Sequence, residues 1–204
     1  CYIIGNITGS NSSGIFGREA GTLGGLTIAE NCYVKADIIT GTNSSGILTA
    51  IGYQAGYEYQ SYNSVAIGSS AGYQNQDSSS VAIGPYAGYQ DQSFNSVAIG
   101  NYAGYLDQSS NAIAIGNNAG AQSQNNHSIA IGRLAGESNQ KRYSIAMGFG
   151  AGQTNQDPSS VAIGHEAGNS EQGANAVAVG HDAGKSTQGD NCVAIGAFAG
   201  QTGQ

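Results

Sequence analysis

The sequence predicts an all-β fold, a parallel β-roll (β-solenoid) made of 16-residue coils stacked one on another. Three observations predict this fold. Between residues 49 and 204 the chain repeats every 16 residues without insertion or deletion. Each copy opens with an apolar-Ala-apolar triplet, whose alternation is typical of a short β-strand. Glycines at two fixed positions then follow the triplet, where a coil has to turn.

The repeated unit reads [VI]-A-[IMV]-G-x-x-A-G-x-x-x-Q-x-x-x-x, with Thr opening the first copy. The triplet predicts one strand, the two glycines bracket a turn, and a second extended stretch runs from the Ala-Gly pair to the Gln. A polar segment then turns the chain back, so two short strands and two turns fill the period. Stacking at ~4.8 Å per coil predicts a rod roughly 48 Å long. The copies begin at Thr49, Val65, Val81, Val97, Ile113, Ile129, Ile145, Val161, Val177 and Val193.

The composition excludes several functional classes. Charged residues make up 9% of the chain, against roughly 25% in typical soluble proteins. The net charge of −7, with Lys and Arg totalling 6, leaves no basic surface for nucleic acid. No apolar run approaches the ~18 residues that span a bilayer, so we expect no membrane insertion by this segment. The chain begins at Cys1 without a Met or a signal peptide, and we interpret it as a processed form or a fragment.

The alanine after the first apolar residue predicts an oligomer. If Val65 and Ile67 point into the coil, Ala66 points out of it, because alternate side chains of a strand face opposite ways. A solvated outer position should vary, yet this one stays Ala in every copy. We therefore expect another copy of the chain to cover this face at close range. The expected interface residues are Ala66, Ala82, Ala98, Ala114, Ala130 and Ala162.

The glutamine that closes the second strand predicts a structural ladder. Stacked Gln side chains can hydrogen-bond amide to amide along a solenoid, as in other in-register arrays. A ligand site would need variation along this column, and the column has none. The expected ladder includes Gln76, Gln92, Gln108 and Gln124.

Two segments of the repeat carry a family resemblance. Asn63-Ser64-Val65-Ala66-Ile67-Gly68 and Asn95-Ser96-Val97-Ala98-Ile99-Gly100 resemble the NSVAIG motif of trimeric autotransporter adhesin heads, the YadA type. In that family the motif builds a left-handed parallel β-roll, three of which pack into a head on a surface stalk. The AIG-x-x-AG pattern is also similar to repeats in phage and large-virus fibre proteins. The resemblance implies a homotrimer, attachment rather than catalysis, and a location outside the cell, on a cell or virion surface.

Residues 1–48 are less regular, and we expect an irregular β cap or a transition segment there, preceding the ten-coil roll of residues 49–204. Residues 7–15 recur almost unchanged as residues 39–47, an offset of two coils. Gly17-Arg18-Glu19-Ala20-Gly21 also reproduces the G-x-x-A-G turn of the repeat. Such a segment covers an open solenoid end that would otherwise invite edge pairing.

Tyrosines provide the candidate ligand surface. One column holds Tyr in four consecutive coils, and a second, shorter column holds it in two. Stacked rings that shield the roll are the simpler interpretation. The alternative is an amphipathic surface for a host surface protein or glycan, because exposed Tyr combines apolar area with a polar tip. The candidate residues are Tyr57, Tyr73, Tyr89, Tyr105, Tyr86 and Tyr102.

The remaining reactive side chains predict no catalytic site, no metal site and no cofactor. His165 and His181 recur one coil apart, each followed by an acidic residue, but their columns also hold Tyr, Ser, Pro and Arg, as an exposed turn does. The cysteines Cys1, Cys32 and Cys192 have no neighbouring His or carboxylate in sequence, although a bridge between chains at Cys1 or Cys32 stays open.

The sequence thus favours a structural or adhesive surface fibre segment, the head or shaft of a longer fibre, whose partners are its own copies and a host protein or glycan. One alternative is a monomeric binding solenoid for ice or a glycan, although ice binding favours a Thr array that this chain lacks. A structural fibre without any ligand is another. An enzyme on a β-solenoid would need converging acid-base groups in adjacent coils.

Overall fold

Three-residue strands alternate with turns along residues 49–203, the part of the chain that this computed structural model describes. All the regular secondary-structure elements in that range are β-strands. In chain order the strands are β1 (Thr49–Ile51), β2 (Glu58–Gln60), β3 (Val65–Ile67), β4 (Gln74–Gln76), β5 (Val81–Ile83), β6 (Gln90–Gln92), β7 (Val97–Ile99), β8 (Leu106–Gln108), β9 (Ile113–Ile115), β10 (Ile129–Ile131), β11 (Ser138–Gln140), β12 (Ile145–Met147), β13 (Thr154–Gln156), β14 (Val161–Ile163), β15 (Ser170–Gln172), β16 (Val177–Val179), β17 (Ser186–Gln188) and β18 (Val193–Ile195).

All strand pairs are parallel and join residues one coil apart. The triplets form a ten-stranded sheet in the order β1-β3-β5-β7-β9-β10-β12-β14-β16-β18. The second stretches form two four-stranded sheets, β2-β4-β6-β8 and β11-β13-β15-β17, and single bridges from Gln122 to Leu106 and to Ser138 connect them. The register pairs Val65 with Val81 and Gln76 with Gln92. The predicted all-β solenoid of stacked 16-residue coils is confirmed; the cap expected over residues 1–48 lies outside the described residues.

The interior of the coil is lined by small side chains and by glutamine, which reverses the expected direction of the triplet. The alanine of the triplet and the alanine before the second glycine are both buried, and they form the core clusters. The residues expected at an oligomer interface are each 0% exposed within one chain: Ala66, Ala82, Ala98, Ala114, Ala130 and Ala162. The prediction that these alanines face another copy is wrong.

The physical reason for this reversal is the thinness of the coil. A Cβ built on Gly72 would lie 3.3 Å from the Cβ of Ala66 and 2.5 Å from Oε1 of Gln76. The interior therefore has room for methyl groups and for one extended amide side chain per coil, and β-branched side chains are directed outward.

Buried glutamines run through the interior as a hydrogen-bonded column. Nε2 of Gln76 donates to Oε1 of Gln92 at 3.2 Å, Gln92 donates to Gln108 at 3.2 Å, and Gln108 donates to Gln124 at 3.1 Å. The same Nε2 of Gln76 also donates to the carbonyl oxygen of Val65 at 2.9 Å, so the amide ties the second strand to the first. All four side chains are 0% exposed, and the partners offset the cost of burying polar groups.

Two glycines per coil are required by close approach and by backbone conformation. Gly68 has a φ of 130°, and a Cβ there would lie 2.7 Å from the backbone of Gly84 in the next coil. Gly72 has a φ of 53°, and a Cβ there would collide with the Gln76 amide. Both turns therefore depend on the absence of a side chain.

Candidate functional site

Four tyrosines stack face to face along one lateral side of the solenoid. Each follows the second glycine of its coil and precedes the second strand, so the 16-residue register places the rings directly above one another. The ring centroids of Tyr57 and Tyr73 are 5.1 Å apart, those of Tyr73 and Tyr89 are 4.9 Å apart, and those of Tyr89 and Tyr105 are 5.0 Å apart. These centroid distances lie within the range of about 4.5–7 Å that is typical of favourable aromatic pairs.

A shorter stack widens this column into a patch. Tyr86 and Tyr102 both adopt a left-handed backbone in the preceding turn, and their rings stack at 4.9 Å. The Tyr102 ring meets the Tyr105 ring at 5.0 Å with an interplanar angle of 67°. Tyr86 also contacts Tyr89, at 5.7 Å. The structure thus brings the six tyrosines singled out in the sequence into one contiguous surface, the tyrosine patch: Tyr57, Tyr73, Tyr89, Tyr105, Tyr86 and Tyr102.

Stacking determines which part of the rings can meet a ligand. Both faces of Tyr73 lie against neighbouring rings, so the ring presents its edge rather than a face. Desolvation, followed by the proximity of the Tyr89 and Tyr57 phenols, raises the pKa of Tyr73 above its ordinary 10.0. Tyr73 therefore carries a neutral phenol at physiological pH, which can donate and accept hydrogen bonds.

The tyrosine column continues as a polar ladder farther along the rod. Nε2 of Gln153 donates to a carboxylate oxygen of Glu137 at 2.7 Å, and Nδ2 of Asn169 donates to Oε1 of Gln153 at 3.0 Å. The same position of the repeat thus carries aromatic stacking in one half of the rod and amide bonding in the other. At this position of the repeat, aromatic residues are confined to the coils between Tyr57 and Tyr105.

The outer side of the ten-stranded sheet is a continuous apolar face, which sequence reasoning placed in the interior. We call it the apolar face; it consists of the first and third residues of each triplet. Midway along it, Met147 is 38% exposed and Ile163 is 39% exposed, while Val97 and Ile99 are half-buried. Apart from Thr49 in β1, every residue of the face is apolar. Its first column is Thr49, Val65, Val81, Val97, Ile113, Ile129, Ile145, Val161, Val177 and Val193, and its third is Ile51, Ile67, Ile83, Ile99, Ile115, Ile131, Met147, Ile163, Val179 and Ile195.

The invariance of the Ala and Gln columns is the signal that could have located the core. The outer third position accepts Ile, Met or Val, whereas the two interior alanine positions and the interior glutamine position accept one residue type each. In a repeat whose coils are superimposed, the positions with fixed space are those that fill the interior.

A second cluster of reactive side chains lies on the turns near β14 and β16. The rings of His165 and His181 stack at 4.8 Å, and Nδ1 of His181 lies 3.7 Å from a carboxylate oxygen of Asp182. Lys185 forms ion pairs with Glu166 and Asp182. The hydrogen bond to Glu166 raises the pKa of Lys185; desolvation opposes this rise, and the hydrogen bond to Asp182 adds to it.

The sequence contains three cysteines and four Asn-X-Ser/Thr motifs, the acceptor pattern for N-glycosylation, and most of both lie outside the described residues. Cys192 is a free thiol, half-buried. The sequon at Asn126 places its Asn at the surface, but the side chain of Ser128 is 0% exposed and donates to the carbonyl oxygen of Asn125. Cys1, Cys32 and the sequons at Asn6, Asn11 and Asn43 precede the described range.

Comparisons with known proteins do not identify a family for this chain. Searches against protein-family models, curated proteins and solved structures find no significant match to this chain. Among the residues that the structure describes, no helix is long and apolar enough to cross a membrane.

Proposed function

We propose that this chain is the head or shaft segment of a surface fibre, which assembles as a homotrimer and serves attachment or display without catalysis. The observation that carries the proposal is the apolar face, which runs the whole length of the ten-stranded sheet. In this proposal the fibre lies outside the cell, on a cell or virion surface. The resemblance of the repeat to adhesin heads and fibre proteins agrees with this function.

The apolar face is suited to packing against a second copy of the chain. Parallel sheets are usually covered on both faces, and here the coil interior covers only one of them. Ten strands at ~4.8 Å and three residues at ~3.3 Å give a footprint of about 480 Å². The largest apolar patch of a typical monomer is about 300–600 Å², so this face is at the upper part of that range and is unusually elongated.

Each chain offers one long face, and a closed ring of copies leaves no such face exposed; the number three follows the resemblance to trimeric adhesin heads. Cyclic symmetry places the same surface of every copy around a common axis, so the triplets of three chains face one another. Packed sheets approach to about 10 Å, a distance that Val and Ile side chains bridge by interdigitation. In the proposed homotrimer the interface is thus formed by the outward Val and Ile columns, and not by the triplet alanines, which lie inside the coil.

Light scattering on the full chain tests this assembly. We expect a mass of three chains for the wild type. Ile131→Lys places a charge at the centre of the apolar face and should yield folded monomers, because a buried unpaired charge is costly. The matched control is Asn139→Lys, which adds the same charge at an exposed position on another side of the same region. A folded wild-type monomer, or equal loss of assembly in both variants, would contradict the proposal.

We assign attachment to the tyrosine patch, which lies on a lateral side away from the Val and Ile columns of the triplets. The exposed phenol edges suit a partner that combines polar groups with some apolar area, such as a host protein or a glycan. Tyr73→Ser should weaken adhesion to host cells or immobilised glycans. Tyr143→Ser is the control, since Tyr143 is 57% exposed and lies outside the patch. Equal adhesion of all three proteins would remove the patch from the proposal and leave a fibre without a ligand.

A further inference from the structure

Two consecutive coils bring metal-ligating side chains together at one turn. His165 and His181 occupy the same position of adjacent repeats, and Asp182 follows the second of them. One ligand atom from each of these three residues lies within 4.8 Å of the other two. We call these three residues the histidine–aspartate turn.

Asp182 differs from an ordinary carboxylate of an exposed turn. It is 7% exposed, and its backbone has a left-handed φ of 55°. Its Oδ1 atom accepts no well-formed hydrogen bond; the nearest positive charge is the ammonium of Lys185 at 3.3 Å. A buried carboxylate oxygen without a hydrogen bond is unfavourable unless a cation compensates it.

Lys185 is an incomplete partner for Asp182 because it is shared. Its shorter contact is with Glu166, the residue that occupies the position of Asp182 one coil earlier. The ammonium could therefore stay with Glu166 if another cation took its place at Asp182. Two acidic residues and one lysine leave the cluster with an excess of negative charge.

We propose that His165, His181 and Asp182 bind a zinc ion, with water in the remaining coordination position. Two imidazoles and one carboxylate form a common zinc ligand set, whereas calcium and magnesium prefer oxygen ligands alone. Ligand atoms around a tetrahedral zinc are separated by about 3.4 Å, given bonds of about 2.0–2.2 Å. The required contraction from 4.8 Å is about 1.4 Å, which rotation of the exposed imidazoles can supply because Asp182 is the fixed, buried member.

The bound zinc ion links neighbouring coils. His165 belongs to one coil, and His181 and Asp182 belong to the next, so the ion crosslinks the stack at the surface of a thin solenoid. Zinc replaces Lys185 at Asp182, and Lys185 keeps its ion pair with Glu166. The site is separate from the tyrosine patch and does not depend on the proposed attachment function.

Calorimetric titration of the chelator-treated full chain with zinc sulfate tests the site. We expect one zinc per chain, and a weakening of roughly tenfold or more in His165→Asn, His181→Asn and Asp182→Asn. His127→Asn is the matched control, because His127 is exposed and stacks on Tyr143, remote in sequence from the cluster. Cobalt substitution should give the visible absorption of a tetrahedral ion.

A gain-of-affinity variant keeps the test decisive if a ligand variant fails to fold. Lys185→Met removes the competing ammonium, so zinc should bind several-fold more tightly than to the wild type. Unchanged affinity in Asp182→Asn together with unchanged affinity in Lys185→Met would overturn the proposal, since binding would then rest on the imidazoles alone. Absence of stoichiometric zinc binding to the wild type would overturn it as well.

Discussion

Replacing one interior glutamine by leucine removes polar partners at the centre of the solenoid while nearly preserving side-chain volume. Gln124 is 0% exposed. Its Nε2 donates to the carbonyl oxygen of Ile113 at 2.8 Å and to Oε1 of Gln140 at 3.2 Å. Its Oε1 accepts from Gln108 at 3.1 Å. Gln124→Leu therefore leaves two acceptors, the Ile113 carbonyl oxygen and Oε1 of Gln140, without the Gln124 donor. The Gln108 amide loses its acceptor but keeps its bond to the Val97 carbonyl oxygen at 2.9 Å.

The magnitude follows from these contacts. Each buried acceptor deprived of its donor costs about 1–3 kcal/mol, which gives about 2–6 kcal/mol for two. Burial of the leucine side chain offsets about 1.5–3 kcal/mol of this. Subtracting the offset from the cost leaves a net loss of roughly 0.5–3 kcal/mol in the free energy of unfolding. For a chain of this size each kcal/mol lowers Tm by about 2–4 °C.

Guanidinium unfolding followed by far-ultraviolet circular dichroism, at one fixed protein concentration, measures this loss. The matched control is Gln122→Leu in the same coil, because the Gln122 side chain is exposed and its substitution should change stability by about 0.5 kcal/mol at most. If Gln124→Leu and Gln122→Leu unfold at the same denaturant midpoint, the amide column does not stabilise the fold in the way described.

Three further predictions concern the interior, the turns and the tyrosine patch. Ala130→Leu overfills an interior that fits a methyl group and should lower the free energy of unfolding by about 1–3 kcal/mol, measured in the same assay; an unchanged midpoint would mean that the interior can expand. Gly132→Ala places a Cβ 2.5 Å from the carbonyl oxygen of Gly148, so it should destabilise the fold by more than the ~1–3 kcal/mol of backbone strain alone. The control is Gly196→Ala, where a Cβ has no neighbour within 4 Å and only the backbone strain should be seen. Scanning calorimetry compares the two variants, and equal Tm values would refute the close approach at Gly132. The pKa of Tyr73 is raised above 10.0, so its neutral form contributes stability that is lost as pH rises through the raised pKa. Alkaline titration of tyrosinate absorbance in the wild type and in Tyr73→Phe measures this pKa from the difference between the two curves. A midpoint of that difference at pH 10.0 or below would contradict the prediction.

The period of the sequence was sufficient to predict the strands and their stacking. A 16-residue repeat without insertions allows each residue only one neighbour above and below, so Val65 pairs with Val81 and the stacking of Tyr73 on Tyr89 follows from the same register. The glycine turns were predictable too, because Gly68 and Gly72 recur where the strands end. Register is a property of spacing alone, and spacing is visible in the sequence.

The direction of the triplet could not be deduced from hydrophobicity. The usual expectation that large apolar residues lie inside fails when the interior is only wide enough for Ala66 and an extended Gln76 side chain. The width of the coil depends on turns such as that at Gly72, whose φ of 53° is a matter of three-dimensional geometry. Asp182 is buried although Glu166, with the same left-handed φ at the same position one coil earlier, is only half-buried, so neither turn geometry nor charge alone predicts its burial.

The interior column of amides gives the rod a sense of direction. From Gln76 to Gln172, every Nε2 donates to the glutamine of the following coil and none to the preceding one. The amide dipoles therefore point the same way and add along the axis, as peptide dipoles of about 3.5 D add in a helix. At the start of the described column, Oε1 of Gln76 accepts no hydrogen bond, and Gln60 donates only to the carbonyl oxygen of Thr49. The amide column thus has a positive and a negative end. In the proposed homotrimer, three copies lie side by side in the same sense around the threefold axis, so their dipoles align at an electrostatic cost that the apolar face has to outweigh.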